Sequence, residues 1–348
     1  MKALIALVSA GLGAAGLLWC VLGLPLGVDT AVYRAGGWAV LHGEPLYEHL
    51  RALPGWTPEL PFTYPPFAAL LFTPFATLPA QLCWSLLAMT AAPALLVTVR
   101  AFTDDRRWWL VLGGFALYPV WQGIGLGQVN LVLMALVVTD VLVLRDSRYR
   151  GLLIGLAAAI KLVPLIFIGH LLLTGRRTAA LRALGAFAAA TALGFLVLPE
   201  DSVRYWTSAI FNDHFAQTKG WIGNQSWQGF VARTAPEDWG LPLTAGFCVP
   251  AVFASALVAR RLHLAGDARG ALLTTAGCAL LVSPISWTHH WVWLVPLLAF
   301  RPSLRLLAPV FALPVAITGE LYLITAVVLL GARVRAPSRR LTRARSLR

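Results

Sequence analysis

The sequence predicts an all-α membrane protein that crosses the bilayer many times. Of its 348 residues, 58% are hydrophobic and only 12% are charged, and the mean hydropathy is +0.73. A soluble globular domain carries about 25% charged residues, so this composition excludes an ordinary water-soluble protein. The chain also repeats apolar runs close to the roughly 20 residues that a helix needs to span a bilayer.

These runs predict ten or eleven crossings within one integral membrane domain, residues 1–332. They are 3–24, 64–99, 108–122, 129–144, 151–173, 178–198, 242–259, 270–284, 291–300 and 304–330. The second run is long enough for two spans that turn at Pro79. The first run exceeds the roughly 7–15 apolar residues of a signal peptide, so we expect an uncleaved first helix.

The distribution of charge predicts the orientation. Residues 333–348 carry seven arginines and no acidic residue, which indicates a basic cytoplasmic tail beside membrane lipids and leaves no need for a nucleic-acid partner. Two long segments, 25–63 and 199–241, are nearly free of lysine and are expected outside. The basic residues in 100–107 and 145–150 do not fit this orientation, because counting alternate crossings from the first span places both segments outside. Either a half-helix pair breaks at Pro164 or the charge bias is too small there to decide.

Asp29 is the first charged residue after the first apolar run. We expect a short helix over 29–42 along the membrane interface, and two roles for the carboxylate are open. It can cap backbone N–H groups at the helix start. It can instead be a general base at the mouth of a membrane cavity, where low dielectric raises a carboxyl pKa.

Lys161 is one of three lysines in the chain and lies inside the apolar run GLLIGLAAAIKLVPLIF. An intramembrane cation indicates function by default, and phosphate is a natural partner. The alternative is that its ammonium group reaches a membrane interface.

Two polar segments are candidate sugar-binding sites. Gln128 and Asn130 open the run 129–144, and Asn224, Gln225 and Ser226 lie between Trp221 and Trp227. Amides pair with sugar hydroxyls as donors and acceptors, and indoles pack on sugar rings. Amides also cap helices, and tryptophan is common at membrane interfaces, so both interpretations stay open.

The segment SPISWTHH, residues 283–290, interrupts two apolar runs. Adjacent histidines point in different directions on a helix, which disfavours a metal clamp made by this pair alone. One histidine bound to an anionic headgroup fits better, and an interfacial pair without a ligand is the alternative.

Six segments in order resemble glycosyltransferase family 87, the polyprenol-phosphate-mannose-dependent mannosyltransferases of the GT-C superfamily. They are VDTAVYRAGG, FTYPPFAALLFTPFATLP, GLGQVN, GLLIGLAAAIKLVP, GNQSWQGFVAR and SPISWTHH. The similarity extends from the first span to about Pro296.

The resemblance implies a GT-C-like fold whose extracytoplasmic loops carry the active site. It implies transfer of mannose from a polyprenyl phosphate to a hydroxyl of a glycolipid or lipoglycan, with inversion, at the outer face of a bacterial plasma membrane. Asp29 would be the base that deprotonates the acceptor. The donor phosphate would be held by His289, His290, Lys161 and Arg34. The sugar and acceptor would contact Tyr33, Tyr64, Gln128, Asn130, Asn224, Gln225, Ser226, Trp227 and Trp287.

Because phosphate is already a good leaving group, a second carboxylate acid is unnecessary. No cofactor is expected, because no carboxylate cluster is visible near Asp29 in the sequence. A divalent metal is not excluded, since Glu44, Glu48 and Glu59 share the loop of Asp29. The four cysteines lie in apolar runs and are expected to be small core residues. The run 304–330 is shorter than the family's last spans and predicts either one kinked helix or a short hairpin. The alternatives are an arabinosyl or oligosaccharyl transferase of the same superfamily, a lipid or solute transporter, and a non-catalytic scaffold.

Overall fold

The structure is a computed structural model that describes residues 2–103, 109–211 and 218–335. Within these ranges it is built from helices, with no strand and one isolated β-bridge, Asn224–Trp287. The α-helices are Lys2–Val21 (α1), Val28–His42 (α2), Pro66–Phe72 (α3), Ala80–Met89 (α4), Ala91–Phe102 (α5), Trp109–Phe115 (α6), Tyr118–Leu126 (α7), Asn130–Val138 (α8), Leu152–Ile160 (α9), Ile166–Leu173 (α10), Arg177–Val197 (α11), Pro199–Thr207 (α12), Trp227–Thr234 (α13), Gly240–Leu264 (α14), Ala268–Val282 (α15), Leu294–Phe300 (α16), Ala308–Phe311 (α17), Val315–Thr318 (α18) and Leu321–Arg335 (α19).

Several of these helices are candidate membrane spans by length and composition. Among the described residues there are four, namely α1, the joined α4 and α5, α11, and the segment Glu237–Leu264. The joined α6 and α7 give a fifth, bent by 65°. Shorter apolar helices make up most of the other predicted runs, and Pro79 directly precedes α4 as expected. The prediction of an all-α polytopic membrane protein is confirmed.

The run 151–173 forms two short helices instead of one span. Helix α9 ends at Ile160, the backbone of Lys161 is extended, and a 3-10 turn at Val163–Leu165 leads into α10. Arg150, before α9, and Arg176, after α10, interact electrostatically. Both ends of the run therefore lie at the same end of the bundle, which confirms the half-helix pair broken at Pro164.

The contacts of the basic helix ends remove the conflict in the charge count. Arg176 also interacts with His263 in the last turn of α14. The short α14–α15 connection brings Arg269 to this end, where its Nε donates to the Ala101 carbonyl at 2.8 Å. The described parts of 100–107 and 145–150 thus lie with the other basic helix ends. Residues 104–108 are outside the described ranges.

The two segments predicted to lie outside contact each other at the opposite end of the bundle. The backbone N–H of Leu46 donates to Asp201 Oδ1 at 2.9 Å, and the rings of Tyr47 and Tyr205 are 5.3 Å apart. An ion pair also joins Glu48 to Arg204. The two segments thus share one end of the molecule, as the prediction requires. Residues 212–217 are not among those described.

Helix α2 matches the predicted helix over 29–42 but is packed on most of its sides. It lies against α3, α4 and the 3-10 turn Thr73–Thr77. A Cβ at Gly37 would lie 2.2 Å from the Phe72 carbonyl oxygen, so glycine permits this close approach. Buried apolar side chains form one contiguous cluster from Val32 to Tyr322.

The final segment forms the predicted hairpin. Arg301 pairs with Asp267 at the basic end of the bundle. Glu320, just before α19, pairs with Arg233 at the opposite end, and Gly319 has a left-handed φ of +55°. Helix α19 then returns along α14 and α15. Most of the predicted tail, residues 336–348, lies outside the described residues.

Candidate active site

The candidate site lies where several helices begin or end. Asp29 is in the first turn of α2, Gln128 lies between α7 and α8, Lys161 follows α9, and His289 and His290 lie in the 3-10 turn Thr288–Trp293. At membrane depth, non-helical backbone is tolerated where it is buried in protein or lines a cavity. These breaks therefore place polar side chains inside the bundle.

Thr30, whose role the sequence does not reveal, joins two of these breaks. Its Oγ1 donates to the carbonyl oxygen of Gly127 at 2.9 Å. Gly127 has a φ of +73°, and a Cβ there would lie 1.7 Å from Thr30 Oγ1. Glycine is thus required both for the left-handed conformation and for the approach. A left-handed glycine after an apolar helix is a recognisable C-terminal signal, but its long-range partner is not.

Asp29 faces Gln128 across this junction. Gln128 Nε2 donates to Asp29 Oδ2 at 2.7 Å. Helix α2 has Gly27 at its N-cap and no side-chain cap, so the described hydrogen bond of the carboxylate goes to an amide side chain. Burial raises the pKa of the Asp29 carboxyl, and the Gln128 hydrogen bond and the Lys161 charge oppose this rise. These contacts favour the general-base interpretation over helix capping.

Two tyrosines fix the orientation of Gln128. The hydroxyls of Tyr33 and Tyr64 donate to Gln128 Oε1 at 3.0 and 3.3 Å, and they lie 2.8 Å from each other. Because Oε1 accepts from hydroxyl groups, the amide NH₂ is turned toward Asp29. The carboxylate is thereby held by a hydrogen bond that favours its ionised form.

Lys161 forms the cationic side of the site. Its Nζ donates to Asn130 Oδ1 at 3.0 Å and to His290 Nε2 at 3.3 Å, and it lies 5.4 Å from the centre of the Tyr64 ring. Asn130 Nδ2 donates in turn to the His289 carbonyl at 3.1 Å. The predicted phosphate-binding residues Lys161, His289 and His290 are therefore brought together, and Tyr64 links them to the Asp29 side.

An apolar cavity begins at this cationic side, and we call it the α8–α10 cavity. Lys161, Asn130 and His290 lie in its wall. The apolar part of the wall includes Leu133, Met134, Val137, Phe167, Leu280 and Trp293. A cation at one end of an apolar cavity suits a lipid whose headgroup is anionic.

Arg34, Trp227 and Trp287 lie elsewhere. Arg34 donates to the carbonyl oxygens of Leu78 and Ala52 at 2.6 and 3.1 Å, so it braces backbone next to α2. Trp227 stacks on an α14 phenylalanine, and the Trp287 ring lies 5.6 Å from that of Trp221. Their side chains make no described contact with Asp29 or Lys161, although the Trp287 carbonyl accepts from the His290 N–H at 2.7 Å.

Asn224, Gln225 and Ser226 are fully buried, and their described hydrogen bonds go to protein groups. Asn224 Oδ1 accepts from the Ser286 N–H and from Ser226 Oγ, both at 2.9 Å. Gln225 Nε2 donates to the Ile222 carbonyl at 2.7 Å, and Ser226 caps α13. These contacts fasten the loop to the segment that carries the histidines. A role in sugar binding stays a prediction.

Possible metal ligands do not gather within the described ranges. No three His, Cys, Asp or Glu side chains there are placed to share a metal ion. The glutamates of the Asp29 loop are instead paired, as Glu44–Arg51, Glu48–Arg204 and Glu59–His49. The four cysteines are unpaired.

The comparisons with known proteins agree on one family. The family described as Glycosyltransferase family 87 matches residues 62–284. A polyprenol-phosphate-mannose-dependent alpha-(1-2)-phosphatidylinositol mannoside mannosyltransferase of Mycobacterium tuberculosis is 35% identical over 80% of this chain and 74% of its own length. A polyprenol-phosphate-mannose-dependent alpha-(1-2)-phosphatidylinositol pentamannoside mannosyltransferase of Mycolicibacterium smegmatis is 37% identical over 82% of this chain and 72% of its own length. No solved structure gives a significant match.

Proposed function

This chain belongs to glycosyltransferase family 87, and we propose that it transfers mannose from polyprenyl phosphate mannose to a hydroxyl of a phosphatidylinositol mannoside or a related cell-envelope glycolipid. The curated relatives are named for this donor and for this class of acceptor. Converging helix breaks alone would also suit the transporter alternative. The family match identifies the chain as a membrane glycosyltransferase.

The observation that carries the proposal is the pairing of a carboxylate side with a cationic side. Asp29 and Lys161 interact electrostatically, and Gln128, Tyr64 and Asn130 connect them through side-chain contacts. A sugar phosphate that reacts by inversion needs a base on one face of the anomeric carbon and stabilisation of the leaving phosphate on the other. The site supplies both kinds of group.

The proposed reaction is a single displacement at the anomeric carbon of mannose. The acceptor hydroxyl oxygen attacks the anomeric carbon of mannose while the bond from that carbon to the phosphate oxygen breaks. Asp29 takes the hydroxyl proton, and polyprenyl phosphate leaves as an anion. Lys161, which Asn130 and His290 hold in position, stabilises the charge that develops on this phosphate. The α8–α10 cavity receives the polyprenyl chain.

We place the site at the outer face of the plasma membrane. The charge distribution supports this placement, because Arg150, Arg176, Arg269 and Arg301 lie at the basic end of the bundle. Positively charged segments favour the cytoplasm. Helix α8 runs from the site toward the basic end, and helix α15 runs from the basic end toward the site. The mannose would therefore be transferred outside the cell.

The test is mannose transfer from labelled polyprenyl phosphate mannose to purified phosphatidylinositol mannosides. Wild type and Asp29→Asn are compared in the same detergent. We expect wild type to transfer and Asp29→Asn to lose about 10²- to 10⁴-fold, since general-base catalysis contributes this much.

Glu48→Gln is the matched control. Its carboxylate lies in the same outer segment and pairs with Arg204, so this variant should stay within a few-fold of wild type. Equal transfer by wild type and Asp29→Asn would remove Asp29 from the mechanism. Transfer that is lost after chelation and restored by Mg²⁺ or Mn²⁺ would contradict the expected absence of a cofactor.

A further inference from the structure

A second apolar cavity, of about 270 Å³, lies between α15, α16 and α19, and we call it the α15–α19 cavity. It extends along α15 from Gly270 to Leu281. Its wall includes Leu273, Gly277, Leu297, Ala326, Leu329 and Leu330. Helix α19 lies beyond residues 62–284, the part of the chain that the family matches.

The two apolar cavities share a wall but differ in charge. Leu280 and Trp293 line both of them, whereas Lys161 and His290 line the α8–α10 cavity. Among the residues that line the α15–α19 cavity, Arg301 is the charged one, and its Nη2 lies 3.0 Å from Asp267 Oδ2. The donor's phosphate is thus suited to the first cavity, and the second is left for a different lipid chain.

The α15–α19 cavity begins beside the site. Trp291 lies in its wall, two residues after His289 in the same 3-10 turn. The Trp291 ring lies 5.6 Å from the ring of Tyr322 in α19. This part of the wall therefore joins the segment that carries the histidines to α19.

We propose that the α15–α19 cavity binds the fatty acyl chains of the acceptor glycolipid while the donor's polyprenyl chain occupies the α8–α10 cavity. This inference rests on the proposed function, in which two lipids must present their reacting groups to Asp29 together. Because α19 forms one side of this cavity, the C-terminal hairpin helps to select the acceptor.

Gly277→Leu tests the proposal by filling the α15–α19 cavity. A Cβ at Gly277 meets nothing within 4 Å, so the added side chain enters the cavity without backbone displacement. We expect the KM for an acylated phosphatidylinositol mannoside to rise by about tenfold or more and the KM for the donor to stay unchanged. Transfer to the deacylated glycerophosphoinositol mannoside should equal that of wild type.

Two further variants complete the design. Gly246→Leu adds the same side chain on α14, where a Cβ also meets nothing within 4 Å. Gly246 is not in the wall of either cavity, so this variant should behave as wild type. Val163→Phe, in the wall of the α8–α10 cavity, should raise the donor KM instead. A rise in the donor KM of Gly277→Leu, or equal losses with both forms of the acceptor, would overturn the proposal.

Photocrosslinking gives a second measurement that needs no turnover. An acceptor with a photoactivatable acyl chain should label α15 or α19 near Thr274 or Leu329. Labelling near Val163 and Phe167 would place the acyl chain in the other cavity and overturn the proposal. Wild type that transfers mannose to neither form of the acceptor would instead contradict the proposed function, so the two failures are distinguishable.

Discussion

The Asp29–Lys161 cluster and the segment 224–226 have similar polar compositions but different surroundings. In the cluster, the side chains of Asp29, Gln128 and Lys161 are partly accessible, and their described hydrogen bonds go to other side chains. Asn224 and Ser226 are fully buried, and several of their hydrogen bonds go to backbone groups of a neighbouring segment. The first arrangement can exchange its partners for a ligand. The second is already occupied by the protein.

The difference shows that amide and aromatic composition does not by itself identify a ligand site. Asn224 and Gln128 are both amides beside aromatic residues, yet Gln128 orients a carboxylate and Asn224 joins two loops. The two amides differ in their partners: Gln128 bonds to the side chains of other site residues, whereas Asn224 bonds to backbone groups of a neighbouring segment. Substitutions in the Asp29–Lys161 cluster should therefore lower the rate of transfer, whereas substitutions in the segment 224–226 should lower the stability of the fold.

Lys161→Met should impair transfer more than a substitution at Asn224 or at Gln128. It removes the ammonium that would stabilise the leaving phosphate and keeps a side chain of similar length. We expect kcat/KM for the donor to fall by about 10²- to 10³-fold, as when one charge-stabilising donor is removed from an active site. The acceptor KM should change little. Steady-state kinetics with each substrate varied in turn measures both quantities.

Thermal unfolding of Lys161→Met in detergent is the control for folding, and Lys161→Arg, which keeps the charge, should retain more activity. If Lys161→Met loses acceptor affinity while its use of the donor is unchanged, the assignment of the cationic side to the phosphate is wrong.

Asn224→Ala should destabilise the protein more than it impairs the chemistry. It leaves the Ser286 N–H without its described partner and removes one of the two described donors to the Pro284 carbonyl, and an unsatisfied buried polar group costs about 1–3 kcal/mol. The midpoint of thermal unfolding should fall, while activity per folded molecule drops by less than in Lys161→Met. Unchanged thermal stability together with a raised acceptor KM would restore the sugar-binding role.

The sequence predicted the parts of the fold that depend on local pattern. The apolar runs predicted the helical membrane architecture, and Pro79 and Pro164 correctly marked a turn and a helix break. Lys161 and Asp29 could be selected because charges in apolar surroundings are costly. Charge counting could not predict that both ends of the half-helix pair lie at the same end of the bundle, because such counting assumes that every apolar run crosses the membrane.

Long-range pairing accounts for what the sequence did not predict. Arg34 lies one turn after Asp29, yet its guanidinium reaches the carbonyl groups of Leu78 and Ala52 instead of the cationic cluster. The α15–α19 cavity likewise depends on how α19 returns along α15. Such contacts join residues far apart in sequence, and one sequence alone carries no periodic signal for them.

Gln128→Ala should have the smallest effect near neutral pH and should show how the carboxylate side is tuned. Burial raises the pKa of Asp29, and the hydrogen bond from Gln128 lowers it. The base acts only when ionised, so activity falls as the pH drops through this pKa. Removal of the amide takes away stabilisation of the ionised form. The acid limb of kcat/KM should then move to higher pH by about one to two units, since a hydrogen bond to a charged group contributes about 1.5–3 kcal/mol and one pKa unit corresponds to 1.36 kcal/mol. Above that limb the rates should converge toward wild type.

Gln122→Ala is the matched control, because Gln122 is an α7 amide whose Nε2 donates to the Tyr118 hydroxyl at 3.1 Å and does not contact Asp29. An acid limb that stays in place or moves to lower pH in Gln128→Ala would mean that Asp29 is not the group whose ionisation limits transfer.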